Sequence, residues 1–467
     1  MPNTRRIAVL NIVGLCDRHI GMAMPNIWCA RDTGKQAFID PAFPAVTCTA
    51  QSDYLTGTTA AEHGVVGNGW YNREQSEVQF WKQSNHLVQG PKVWETLREK
   101  HEGFTCAKIF WWYNMYSSAD WSVTPRPMYP ADGRKEFDIY AHPASLRSDL
   151  TRDLGEFPFP GFWGPAAGVD TPKGSADCVS RWIAEAAKWI EKKHQPTLSL
   201  VYLPHLDYNL QRLGPDAEPL TKDLQEVDKI VGRLIDFYYS RGVELILLSE
   251  YGITEVNRAI HLNRLFREQG WLTVREELGL ELLDAGASRV FAVADHQVAH
   301  VHVNDNSLAG EVTKLLEQTA GVQSVLDAEA QRERGIRHER AGDLIAVADE
   351  NAWFTYYYWN DDARAPDFAR TVDIHRKPGF DPAELFLDPA LRFPKARIAW
   401  RLLQKKLGYR MLMDVIPLDA ALVKGSHGCR PVSRADWPVV IVPEADWLED
   451  EVLKSTDIHD LIIRAVG

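Results

Sequence analysis

The stretch LTKDLQEVDKIVGRLIDFYYSRGVELILLSEYG, Leu220–Gly252, decides the fold. Its first two thirds place apolar residues three and four apart, from Leu220 through Leu224, Val227, Val231 and Leu234, which is one face of an amphipathic helix. Gly242 stands where such a helix stops, since it can take the left-handed backbone that closes the last turn. VELILLS (243–249) then runs apolar without alternation, as a strand covered on both faces does. The same pair occurs just upstream. ADCVSRWIAEAAKWIEKKH (176–194) is an amphipathic pattern with a basic last turn, and TLSLVYL (197–203) is a continuous apolar run. Helix and buried strand in alternation predict an α/β fold, a doubly wound, mostly parallel sheet with helices on both faces.

Further buried runs are RIAVLNIVGL (6–15), DLIAVA (343–348) and PVVIVP (438–443), all expected in the same parallel sheet. The segment 286–342 reads differently: SRVFAVADHQVAHVHVND has strand character, SLAGEVTKLLEQTA is helical, and VQSVLDAEA is another short strand. It is expected to be a small α+β cap insertion. The chain then divides into residues 1–285, the first part of a catalytic core, 286–342, the cap, and 343–467, the second part of the core. The region 68–170 is rich in aromatics, as in KIFWWYNMYSSADWSV, and serves either core packing or the wall of a substrate pocket.

Composition excludes several classes. A net charge of −12 over 467 residues does not furnish the basic footprint of a nucleic-acid surface, though it leaves room for a local anion pocket. No apolar window approaches the roughly 18 to 20 residues of a membrane span, so no membrane partner is expected. MPNTRRIAVLNIVGL reads as a first buried strand rather than a signal peptide, because its apolar part is short and no small-residue cleavage site follows. The six cysteines are scattered with no C-x-x-C pair, which fits a reduced, cytoplasmic protein better than a disulfide or structural zinc framework. Nothing in the sequence reports the oligomeric state.

In an open α/β sheet, ligands bind beyond the carboxyl ends of the strands. Asn11 lies in the first strand; PHLDYNLQRLGP after the second run offers His205, Asp207 and Gln211; Glu250, Tyr251 and Gly252 follow the third. TVDIHRKPG brings Asp373 and His375, and KGSHGCRP brings His427. Oxygen and nitrogen donors recurring at strand ends point to a divalent-metal site. At the matching edge lies PAVTCTAQSDYLTGTTAAEHGVVGN, Pro44–Asn68. Its Thr47 precedes a helical pattern, whose free N–H groups suit an anion, and a metal on the Thr47 oxygen would activate it as a nucleophile.

Here the sequence resembles the nucleotide pyrophosphatase/phosphodiesterase branch of the alkaline phosphatase superfamily. Thr47, Thr56-Gly57, His63-Gly64 and Asn68 reproduce the order and spacing of that branch's nucleophile segment. LDYNLQRLGP, SEYG (249–252) and GSHG (425–428) are similar to its later metal-ligand motifs. The resemblance implies Thr47 as nucleophile, a phospho-threonine intermediate, Asn68 on a phosphate oxygen, and metal ligands at Asp207, Glu250, His427 and Thr47. It implies one or two divalent ions, zinc first, with manganese, magnesium or iron as alternatives, and a small phosphorylated substrate of unspecified kind. The motifs are also degenerate. The family's first-strand Asp falls on Val13, with Asn11 two residues back on the same strand face; its second Asp-His motif ligand falls on Gln211; its SDHG pair becomes Glu250-Tyr251. Tyr251 is therefore expected beside the substrate, and Asn11, Gln211 and His375 are expected to complete the metal shell. His205, or His296 and His300 in the cap, stand behind His375. The alternative is a catalytically silent relative that binds an anionic ligand or a partner protein.

Overall fold

The computed structural model describes residues 4–131, 135–162, 176–216 and 218–467. The side chains of residues 176–178, Cys178 among them, and the part of the aromatic-rich region at 132–134 and 163–170 lie outside this description. A nine-stranded sheet forms the centre. Its order is Val452–Lys454, Lys35–Asp40, Val439–Val442, Glu244–Leu248, Ile7–Ile12, Leu198–Leu203, Cys106–Ile109, Trp121–Pro125 and Ile139–His142. The strand Ile7–Ile12 sits in the middle, parallel to Leu198–Leu203 on one side and Glu244–Leu248 on the other, and all six of its residues are buried. That burial is why the strand reads apolar without alternation. The helices Leu220–Tyr239 and Ala176–His194 pack together beside these strands, as their patterning requires.

Two apolar runs do not lie as expected. Val439–Val442 joins the core sheet antiparallel to both of its neighbours. A run buried on both faces carries no mark of direction, so the sequence pattern could not distinguish the two senses. Leu344–Ala348 is not in the core sheet. It pairs antiparallel with Val298–Val303 and Val322–Leu326 in a separate four-stranded sheet that also holds Val290–Asp295. SRVFAVADHQVAHVHVND proves to be a hairpin, turning at His296, whose φ is +60°. VQSVLDAEA is half strand and half helix: after Leu326, the Asp327 carboxylate accepts the N–H groups of Glu329 and Ala330 and starts the helix Ala328–Glu333. TVDI, which resembles a strand, pairs with no described strand and runs as irregular loop from the short helix Asp367–Arg370 into a turn at 374–376.

Candidate active site

Thr47 opens the helix Thr47–Thr56, all ten residues of which are buried. A buried helix this polar stays satisfied by bonding to itself: Ser52 Oγ donates to the Cys48 carbonyl at 2.7 Å and Thr56 Oγ1 to the Ser52 carbonyl at 2.7 Å. Gly57 ends it at φ +68°, a backbone that costs a glycine nothing. His63 Nε2 meets Asp53 Oδ1 at 2.8 Å, and Asp53 also accepts the Ser455 hydroxyl. The Thr-Gly and His-Gly of the sequence motif thus shape the helix and the loop that returns Asn68 to its start. There Asn68 Oδ1 accepts the Cys48 N–H at 3.1 Å, capping a helix whose own N-cap residue, Val46, makes no side-chain bond.

Asn68 is held from the other side by Asp295, at the carboxyl end of Val290–Asp295. Asp295 Oδ2 accepts the Asn68 backbone N–H at 2.7 Å and Oδ1 accepts its Nδ2 at 3.0 Å. Burial pushes the Asp295 carboxyl up to about 7, against the pull of the two Asn68 donors. Unfolding therefore releases a proton between the ordinary value of 3.8 and about 7, so this carboxyl's contribution to stability is full below 3.8 and lost as pH rises through 7. Asp295→Asn removes that slope, and its melting temperature relative to wild type is expected to rise between pH 5 and 8. One Asn68 donor loses its acceptor, so turnover is expected to fall about tenfold at every pH. A melting difference that stays constant with pH would contradict this placement.

Beside Thr47 stands a second layer. Tyr251 Oη lies 3.2 Å from Thr47 Oγ1 and donates to Asp207 Oδ1 at 3.1 Å. Gln211 Nε2 donates to Asp207 Oδ2 at 2.8 Å, from one turn further along the helix His205–Leu213. Burial raises Asp207 to about 6 despite both donors. The His427 ring stacks on Tyr251 with centroids 3.7 Å apart and lies tilted by 35° against His296 at 3.7 Å. Its Nδ1 donates to the Ala45 carbonyl at 2.7 Å, and burial pushes the imidazole down to about 3, so it is neutral and Nε2 carries a lone pair. That lone pair lies 3.9 Å from Asp207 Oδ1. Beneath Thr47, Glu250 Oε1 accepts Asn11 Nδ2 and Gln51 Nε2, both at 2.5 Å. Burial raises Glu250 to about 8, and the Gln51, Asn11 and Thr47 side chains pull it back.

These groups test the fit of a cation. Among the described residues, Glu250 Oε2, Asn11 Oδ1 and Gln211 Oε1 are buried oxygens without a hydrogen-bond partner. Each such oxygen costs about 1–3 kcal/mol if nothing meets it. Asp207 and His427 present two acceptors to each other, and a ligating histidine characteristically gives its other N–H to a carbonyl, as His427 does. The chemistry of the donors therefore fits a cation. Among the described residues no group of three His, Cys, Asp or Glu could hold a metal, so amide and hydroxyl oxygens would have to supply the remaining ligands.

The structure thus brings Thr47, Asn68, Asn11, Asp207, Gln211, Glu250, Tyr251 and His427 into one neighbourhood. His375 stands apart: its Nδ1 bonds the Phe80 carbonyl at 3.2 Å, and it does not line the pocket over Thr47. His300 is spent on the Val66 carbonyl at 2.9 Å and His205 turns to Asp223 at 3.6 Å, whereas His296 reaches the pocket. Trp81 and Trp112, from the aromatic-rich region, form pocket wall along with Phe380. Sequence reasoning missed Gln51, which also accepts the Trp112 N–H at 2.7 Å, and Asp295. Both carried a signal: Gln51 is one turn from Thr47 on the same helix face, and Asp295 ends a buried strand. It also missed the pocket's outer wall, where buried Lys377 bonds Asp381 and Glu384 at 2.7 Å each.

Comparison with known proteins bears on this arrangement. A family model described as type I phosphodiesterase / nucleotide pyrophosphatase matches residues 8–381. An uncharacterised pyrophosphatase/phosphodiesterase of Schizosaccharomyces pombe is 24% identical over 235 residues, 49% of this chain and 41% of that protein. Ectonucleotide pyrophosphatase/phosphodiesterase family member 7 of Mus musculus is 22% identical over 276 residues, 56% of this chain and 52% of that protein. The matches thus span about half or less of these relatives' length. Among solved structures, phosphonoacetate hydrolase from Sinorhizobium meliloti 1021, in complex with phosphonoacetate, is similar with a TM-score of 0.61 at 14% identity, covering 100% of this chain and 96% of that one. Inactive murine ectonucleotide pyrophosphatase / phosphodiesterase 5, a Thr-to-Ala variant in complex with AMP, gives 0.57 at 14% identity, covering 99% and 95%. At such identities the likeness is one of fold.

Proposed function

Because the chain belongs to the type I phosphodiesterase / nucleotide pyrophosphatase family, we propose that it hydrolyses a small phosphoric ester, diester or pyrophosphate with Thr47 as nucleophile. The observation that carries this reading is the chain of hydrogen bonds Thr47–Tyr251–Asp207 at the N-terminus of a buried helix. An ionised carboxylate only accepts, so Tyr251 donates to Asp207 and Thr47 donates to Tyr251. The Thr47 proton then has a path to Asp207 Oδ1 as Thr47 Oγ1 attacks phosphorus and the bond from phosphorus to the leaving oxygen breaks. When water attacks the phospho-threonine and the Oγ1–P bond breaks, the proton held on Asp207 returns along the same path to Thr47 Oγ1 and the protons of the water leave with the phosphate. Asn68 Nδ2 gives one hydrogen to Asp295 and has a second for a phosphoryl oxygen. The start of the helix Thr47–Thr56 adds partial positive charge.

A divalent ion would be held by Asp207 and His427, or by Glu250, Asn11 and Thr47, with Gln211 adjoining the first group. It would supply positive charge to the anionic substrate and acidify the Thr47 hydroxyl. One imidazole among mostly oxygen donors suits manganese or magnesium better than zinc. The test of the proton path is Tyr251→Phe. Turnover of an aryl phosphate ester is expected to fall about 100-fold with little change in KM. A wild-type kcat in this variant would remove Tyr251 from the path and send the Thr47 proton elsewhere.

A further inference from the structure

The helix Pro394–Lys406 contains no buried residue. Its apolar residues are spaced as in a core-facing helix, Ala396, Trp400, Leu403 and Leu407, yet Trp400, Leu403 and Leu407 are 57%, 45% and 64% exposed. The helix is held to the protein by its charged face instead. Arg401 Nε bonds Asp414 Oδ1 at 2.9 Å, Arg397 also bonds Asp414, and Lys405 Nζ reaches the Lys135 carbonyl at 3.4 Å. The apolar stripe therefore points outward. Arg392, Lys395, Lys406 and Arg410 flank it, all four exposed and none in an ion pair with another described residue. From Leu391 to Met413 the chain has seven basic residues and no acidic one, in a protein of net charge −12. Met128, Tyr129 and Phe137, close to Lys135 in the sequence, are exposed as well. Lys135 also lies close enough to Asp373 and Glu384 to feel their charges, and Glu384 lines the pocket.

We propose that this face docks on an anionic lipid bilayer, with Trp400, Leu403 and Leu407 entering the interface and the flanking cations on the headgroups. An outward apolar stripe rimmed by Lys and Arg, with an aromatic residue in it, is the form of a helix that lies in a membrane surface. Charge decides against a second copy of this chain, because a two-fold contact would bring the basic rims of the two helices, Lys395 and Lys406 among them, against each other. Negatively charged lipid complements them. No described helix is long and apolar enough to cross a membrane, so the contact is peripheral. The proposal stands apart from the chemistry at Thr47.

The experiment is co-sedimentation of the full chain with vesicles of phosphatidylcholine alone or with 30% phosphatidylserine, a composition of about the order found in an anionic leaflet. Binding is expected only with phosphatidylserine, and it should weaken as salt is raised. Lys395→Gln/Lys406→Gln should cut it about 25-fold, roughly fivefold for each cation removed. Leu403→Glu/Leu407→Glu should abolish it while hydrolysis of a soluble aryl phosphate, or the melting temperature if no turnover is seen, stays at wild type. Three results would overturn the proposal: no binding to either vesicle, equal binding to both, or a dimer in sedimentation velocity that Leu403→Glu/Leu407→Glu dissolves.

Discussion

Thr47→Ala is expected to abolish turnover of an activated aryl phosphate ester, by about 10⁴-fold or more, the scale on which removal of a catalytic nucleophile is felt. The fold should survive. Alanine is a good residue for the first turn of a helix, and the hydroxyl it removes has Tyr251 as its hydrogen-bond neighbour. Thr47→Ser keeps an oxygen at the same place and should retain measurable turnover, with a covalent phosphoryl adduct on residue 47 detectable by mass after rapid acid quench. Wild-type turnover in Thr47→Ala would end the nucleophile assignment, and the nearby hydroxyls offer no easy substitute. Thr49 Oγ1 is committed to the Val65 carbonyl at 3.1 Å and Ser52 Oγ to the Cys48 carbonyl, both away from the pocket.

Glu250→Gln tests the cation. The replacement keeps an Oε1 acceptor for Asn11 and Gln51 and exchanges a buried carboxylate oxygen for an amide. Without divalent ions, and at a pH above about 8 where the wild-type Glu250 is ionised, the variant is expected to melt at or above the wild-type temperature, because it no longer buries a charge lacking a cation. Manganese or magnesium should raise the melting temperature of wild type and leave the variant nearly unchanged. Turnover should fall about 100-fold or more, with metal affinity weakened by at least tenfold. Equal metal-induced stabilisation of the two proteins would place the ion, if one binds, away from Glu250. The same pair of readings applied to His375→Ala should show no change in either, given where that ring lies.

Local pattern carried the sheet and the nucleophile segment. Leu198–Leu203 and Glu244–Leu248 announce themselves as buried strands because both their faces are covered, and the helices beside them because one face is not. Gly57 and Asn68 were legible through the family resemblance, which carries their order and spacing but not the structural work they do; the helix stop at Gly57 and the cap that Asn68 places on Cys48 appear only in the folded chain. Strand direction was not legible at Val439–Val442, nor sheet membership at Leu344–Ala348, because apolarity reports burial and not the neighbour that causes it.

The site divides along the same line. Sequence alone placed Asp207, Glu250 and His427 after buried runs and Thr47 at the matching edge, and its resemblance to the family's nucleophile segment added Asn68 as a candidate. Only the tertiary structure decided what completes them. It set Tyr251 between Thr47 and Asp207, put Asp295 from a distant hairpin behind Asn68, and turned His375 to the Phe80 carbonyl. The physical reason is that a strand end fixes where a backbone leaves the sheet, whereas a buried side chain goes to whichever partner satisfies its polar atoms, and that partner is supplied by chain hundreds of residues away.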